Sequence, residues 1–244
     1  MARFLLVHGA MGGAWVWERV IPGLEAAGHT AEAIDLPGQG ADQTPLSEIT
    51  LYRYAEAVCD ALAAGPPAIL TGHSMGGMVV TQAAARCPEL VDRLIYVSAF
   101  CPQPGQSLLA ITQLPEAAGD SVQANITVEG DPPVATMAPE RAPGALYHCC
   151  TPEQIAWAMP QRASQPVIPF TQPFELPESN AEAFGALPRA YISCLQDRAI
   201  RQPIQQVMYT AAACDPVIEI DTDHSPWLSR TEELVDALVQ IAAR

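Results

Sequence analysis

Short apolar runs alternate with amphipathic stretches at both ends of this chain, and the alternation fails in the middle. Phe4-Leu5-Leu6-Val7 is apolar on both faces, as a central parallel strand covered by helices must be. Thr30 to Ile34, Ala68 to Leu70 and Arg93 to Ser98 predict three further strands. Between them Trp15 to Ala27, Leu51 to Ala64 and Met75 to Ala85 predict helices. The first carries Trp17, Val20, Ile21 and Leu24 on one face, with Gly28 just past its end. The pattern returns with Arg189 to Leu195, Pro216 to Ile220 and a closing helix, Glu232 to Ala243. This spacing implies right-handed crossovers and a doubly wound, mainly parallel six-stranded α/β sheet with helices on both faces. If the second strand pairs on one side of the first and the third on the other, the order reverses there. Open parallel sheets bind ligands in that crevice.

At Cys101-Pro102 the character changes: fourteen of the 23 prolines fall between Pro102 and Pro188, and short helical patches such as Pro152 to Met159 replace the alternation. Residues 102–187 are therefore expected to be an insertion folded over the crevice as a cap. The core is divided into 1–101 and 188–244. Leu108, Tyr147, Trp157, Phe170 and Phe174 make the segment too apolar for a disordered linker. Leu108, Tyr147 and Phe170, with Trp227 from the core, are the candidate pocket lining.

The chemistry concentrates in Gly72-His73-Ser74-Met75-Gly76, set between a strand and a helix. Glycines two residues either side of Ser74 let the chain reverse sharply, which pushes the hydroxyl to the apex of the turn. The Met75 amide then faces any anion that forms beside it. The loop His8-Gly9-Ala10-Met11-Gly12-Gly13 follows the first strand and supplies a second free amide, assigned to Ala10. His8, fixed at a strand end, is expected to be structural.

A serine hydroxyl needs a base, and the base needs a carboxylate to hold its far nitrogen. Among five histidines, only His224 lies in a loop after the last strand with freedom to reach Ser74. Asp197, past the end of the preceding strand, is the expected carboxylate. Asp221 is the reserve, because neighbours of His224 on a tight loop would have to double back to meet its ring. Asp35 is expected to cap its loop or line the pocket mouth.

Composition narrows the reading. Twelve basic against 27 acidic residues give a formal charge of −15, which disfavours nucleic acid and anionic membranes and suits a neutral or cationic small molecule. All twelve are arginines, so chemistry that needs a lysine is excluded. The seven cysteines show no Cys-x-x-Cys spacing and are expected to be reduced thiols, mostly in the core. No apolar run reaches membrane-spanning length, and the chain is expected to be soluble and cytoplasmic. Monomer and homodimer are both left open.

Val7 to Trp15, Gly72 to Met78, Gln196-Asp197-Arg198-Ala199-Ile200 and Asp223-His224 resemble the plant methyl-salicylate esterase and hydroxynitrile lyase group of α/β-hydrolases. The likeness is weak through the insertion. It implies an α/β-hydrolase fold with Ser74, Asp197 and His224 as the triad, Ala10 and Met75 amides as the oxyanion hole, and neither metal nor organic cofactor. Within that group one lyase type carries threonine after the first-loop histidine and lysine after the triad histidine, and a second carries asparagine at the first of these places. This chain has Gly9 and Ser225 there, as in the esterases. The expectation is a serine carboxylesterase acting on small to medium apolar esters through an acyl-enzyme. The rivals are a hydroxynitrile lyase or carbon–carbon hydrolase on the same triad, and a small-molecule receptor with a silent one.

Overall fold

The computed structural model describes all residues, 1–244. Six parallel strands form the central sheet: β1 (Arg3–Val7), β2 (Thr30–Ile34), β3 (Ala68–His73), β4 (Val91–Val97), β8 (Arg189–Cys194) and β9 (Val217–Ile220). Their order is β2-β1-β3-β4-β8-β9, so the chain pairs β2 on one side of β1 and β3 on the other. The switch point lies between the carboxyl ends of β1 and β3, where two loops splay apart.

Side chains alternate across the sheet and feed two cores. Leu5 and Val7 pack with α2 (Leu51–Ala63), α3 (Gly76–Arg86) and α9 (Gln202–Ala211). Phe4 and Leu6, on the opposite face, pack with α1 (Ile21–Ala26) and α11 (Thr231–Ala242). Each fully buried leucine among them contributes about 1.5–3 kcal/mol. α2 is amphipathic and capped at its start by the Thr50 hydroxyl, which accepts from the Arg53 amide.

Three local expectations are corrected. The stretch Trp15 to Ala27 is not one helix: a single turn at Ala14–Trp17 is followed by α1 from Ile21. Pro22, at the start of α1, lacks an N–H, and its ring would collide with the carbonyl of a continuous helix four residues back. β3 continues to His73 because Thr71, Gly72 and His73 pair with Ile95, Tyr96 and Val97 of β4. Cys59 and Cys87 are joined as a disulfide that ties α2 to the end of α3, so these two are not free thiols. The other five cysteines are unpaired, Cys149 and Cys150 included.

Residues between β4 and β8 carry α4 (Leu108–Thr112), α5 (Ala142–Leu146), α6 (Pro152–Ala158), α7 (Ile168–Thr171) and α8 (Ala181–Ala186). They also hold an antiparallel sheet, β5 (Ile126–Glu129), β6 (Val134–Met137) and β7 (Gln165–Pro166), which the helical reading of this stretch did not include. β-branched residues lie on both sides of Gly130-Asp131, Ile126, Thr127 and Val128 before it and Val134 and Thr136 after it, and Gly130 sits at φ 89°, a conformation open to glycine. The segment is pinned to the core at several points. Ala163 N–H donates to the Met11 carbonyl at 3.2 Å, and the Gln165 amide oxygen accepts from Met11 N–H at 3.3 Å.

The turn from β3 into α3 is packed against backbone on both sides. A Cβ at Gly76 would lie 2.6 Å from the His8 carbonyl oxygen, and one at Gly72 would lie 2.7 Å from the Gly76 carbonyl. Gly76→Ala is therefore expected to lower the unfolding free energy by about 1–3 kcal/mol, because the new Cβ meets the His8 and Val7 carbonyls and neither can move without shifting β1. Urea denaturation of the two proteins measures this; an unchanged midpoint would show that the turn has slack.

Candidate active site

Ser74 occupies the turn at φ 55°, a left-handed conformation unusual for a residue with a Cβ. The turn is held by its neighbours: the Ser74 carbonyl accepts from Phe100 N–H and Gly77 N–H, each at 3.0 Å. The hydroxyl is thereby aimed out of the sheet toward the loop that follows β9. His224 Nε2 lies 3.0 Å from Ser74 Oγ, although 150 residues separate them in sequence. On the far side of the ring, Nδ1–H donates to Asp197 Oδ2 at 2.6 Å.

Asp197 is almost enclosed, at 5% exposure, and its oxygens are fully served. Oδ1 accepts from the amides of Ala199 at 2.6 Å and Ile200 at 2.9 Å, and Oδ2 also accepts from the Ser98 hydroxyl. Four donors compensate the cost of burying the charge, and their geometry leaves Oδ2 directed at the imidazole. Asp221, the reserve, accepts from Gln196 Nε2 at 2.9 Å and is exposed. Asp223 accepts from Ser225 N–H, the Ser229 hydroxyl and Cys149 N–H and holds the loop shape. Asp35 caps its loop, accepting from Ala14 N–H at 2.6 Å and Ala41 N–H at 2.9 Å.

The His8 ring spans two backbone groups, donating from Nδ1 to Gly9 O and accepting at Nε2 from Leu36 N–H. Burial lowers its pKa, which matches a neutral ring with this tautomer. His73, beside Ser74 in sequence, donates its Nε2–H to the His224 carbonyl at 2.8 Å. Burial, then the neighbouring His224, hold its pKa well below the ordinary value, so it serves as a neutral peg under the loop that carries His224. Ser98 and His73 were the two supporting residues that sequence reasoning missed. Ser98 lies directly past β4 on the loop-bearing edge of the sheet, a signal that could have flagged it.

The amides of Ala10 and Met75 donate to no protein acceptor, and both residues line a chamber together with Ser74. Two adjoining chambers, about 640 and 700 Å³, meet at Ser74. His224, Tyr147 and Trp227 line the first, Met75 and Leu108 the second, and Phe170 both. Trp15 also faces the first chamber, where its ring meets Trp227 edge-on at 5.4 Å. No three histidine, cysteine or acidic side chains cluster as metal ligands would. No helix is long and apolar enough to cross a membrane.

Burial alone would lower the His224 pKa, but the Asp197 charge and hydrogen bond, joined by Asp223 and Asp120, outweigh it, and the pKa is raised above 6.5. The native state thus binds this proton more tightly than the unfolded chain. The resulting stabilisation is fully present below about pH 6.5 and is lost as pH rises through the native value. The neutral ring gains population over that same rise. In ¹⁵N NMR titrations the His224 midpoint is expected above 6.5 and is expected to fall in Asp197→Asn, where burial meets less opposition. An unmoved midpoint would show that Asp197 does not govern this ring.

The alpha/beta hydrolase family pattern matches residues 4–237. Polyneuridine aldehyde esterase of Rauvolfia serpentina is 30% identical over 256 residues, covering 98% of this chain and 95% of that protein. An alpha-hydroxynitrile lyase of Arabidopsis thaliana is 30% identical over 253 residues, covering 98% and 96%. The crystal structure of polyneuridine aldehyde esterase superposes with a TM-score of 0.87 at 28% identity, over 99% of each chain. With its wound sheet, its turn at Ser74 and these full-length matches, the chain belongs to the alpha/beta hydrolase family.

Proposed function

We propose that this protein is a serine carboxylesterase in which Ser74 is the nucleophile, His224 the base and Asp197 the orienting carboxylate. The observation that carries the proposal is the unbroken hydrogen-bond chain from Ser74 Oγ through His224 to Asp197, opening beside two unpaired amides. Ser74 Oγ attacks the ester carbonyl while His224 Nε2 takes its proton. The Ala10 and Met75 amides receive the developing oxyanion, where each donor contributes about 10²–10³ in rate. The intermediate collapses with transfer of the proton to the departing alcohol, leaving an acyl-serine. Water, deprotonated by His224, releases the acid and restores the hydroxyl.

Residues 102–187 act in this proposal as a cap that excludes water and shapes the chambers. The leaving alcohol occupies the chamber that contains His224, because that ring must reprotonate it. The acyl portion occupies the chamber shared with Met75 and Leu108. Small to medium substrates are proposed to fill them. Leu108, Tyr147, Phe170 and Trp227 are proposed to contact them.

The relatives also include a lyase, so the test must separate the two chemistries. Short-chain nitrophenyl esters are expected to be hydrolysed, with Ser74→Ala losing about 10⁴–10⁶ in kcat. A fluorophosphonate probe is expected to label Ser74, as read by peptide mass spectrometry. Label on another residue, or cyanide release from mandelonitrile without ester turnover, would replace this proposal.

A further inference from the structure

Arg162 follows the turn Met159–Gln161 and reaches into the chamber that holds Ser74 and His224. Its surroundings there are mainly apolar, with Trp15, Val122, Met137 and Leu146 among them. Two other arginines beside the core are well served. Arg3 binds Glu32 and three backbone carbonyls, and Arg189 binds the carbonyls of Phe184 and Leu187. The Arg162 guanidinium has a single side-chain partner, the Met11 thioether sulfur, 3.1 Å from Nη2. It enters none of the four ion pairs and neither of the two cation–π contacts.

This is an unusual position for a cation in a chain with 27 acidic residues, none of which neutralises it. Arg162 is half-buried, and of the five N–H donors a guanidinium presents only one meets a protein acceptor, a weak sulfur, which leaves the others open to the chamber. Burial pushes the Arg162 pKa down, and only Tyr147 pushes it back. Tyr147 lines the same chamber at 3% exposure. Burial raises its phenol to about 12, so it stays a neutral O–H that can donate. A fixed fork of donors that shares a chamber with a phenolic hydroxyl suits a bidentate oxyanion, and aromatic walls favour a planar carboxylate bound side-on.

We propose that Arg162, supported by Tyr147, binds a carboxylate carried on the alcohol portion of the ester, so that the preferred substrates are acyl esters of hydroxy acids. The inference rests on the esterase reading and sharpens it. The overall charge of −15 favours neutral or cationic substrates at long range, and Arg162 reverses that preference locally. The carboxylate does not react. It anchors the leaving group near His224, and the apolar second chamber takes the acyl chain.

The test compares 4-(butanoyloxy)benzoate with 4-(butanoyloxy)benzamide, a pair of nearly equal shape that differs in charge. Arg162→Met is expected to lower the ratio of their kcat/KM values, anion over amide, by about 10- to 100-fold, the effect of a hydrogen-bonded charge. Arg162→Lys, which keeps the charge but not the fork, is expected to fall between. A ratio within twofold of wild type in Arg162→Met would overturn the proposal. A second arm does not need turnover: calorimetry of 4-hydroxybenzoate binding to Ser74→Ala, with and without Arg162→Met. Binding at least tenfold weaker in the double variant supports the proposal, and equal binding, or none to either protein, overturns it. If neither ester is hydrolysed and the fluorophosphonate leaves Ser74 unlabelled, the esterase reading fails by itself while calorimetry still decides the role of Arg162. Circular dichroism confirms that each variant is folded; should Arg162→Met unfold, the lysine variant carries both arms.

Discussion

The structure depends on how closely β1 and α3 approach each other at the turn after β3. The first residue of α3, Gly76, lies under the His8 carbonyl at the end of β1, with no room for a Cβ between them. That contact fixes two things together. It forces Ser74 into a left-handed conformation at the apex, and it brings the loop carrying Ala10 beside it. The sheet order places β1 and β3 side by side, so the approach follows from topology. Small residues in the turn permit it, and the conformational strain is held by the Phe100 and Gly77 amides that bind the Ser74 carbonyl.

Around that turn, polar groups fall into two classes. Asp197, His73 and His8 are enclosed and held by backbone or hydroxyl partners, and these give rigidity. The bonds of Asp197 with Ser98, of His8 with Leu36 and of His73 with His224 span segments far apart in the chain, so each of these also fixes one loop against another. The Ala10 and Met75 amides and the Arg162 guanidinium lack good partners and face the chambers. Unserved donors in an apolar cavity are expensive unless a ligand completes them, and that is the common ground of the oxyanion and carboxylate proposals.

Residues 102–187 matter because of what they touch. Gln165 is fully buried, accepts from Met11 N–H and donates to the Tyr54 hydroxyl at 3.1 Å. Cys149 N–H donates to Asp223 at 2.7 Å, on the loop that carries His224. The segment is therefore joined to both loops that frame Ser74. Its position and theirs are set together.

Much of the core was legible because its signals are contiguous. Six strands, most of the helices and the turn at Ser74 are each written in a few neighbouring residues whose periodicity or small size has one reading. The break at Pro22 and the hairpin around Gly130 were written the same way, in weaker local signals. The sequence by itself determined the wound sheet and which loops share its carboxyl edge. Only the tertiary structure decided that Asp197 rather than Asp221 meets His224, that Cys59 pairs with Cys87, that His73 supports the histidine loop, and that Arg162 faces the chamber. Those outcomes join residues 27, 28 and 151 positions apart, or depend on an absent partner. They are set by how packed elements come to rest against each other, which no local stretch of residues encodes.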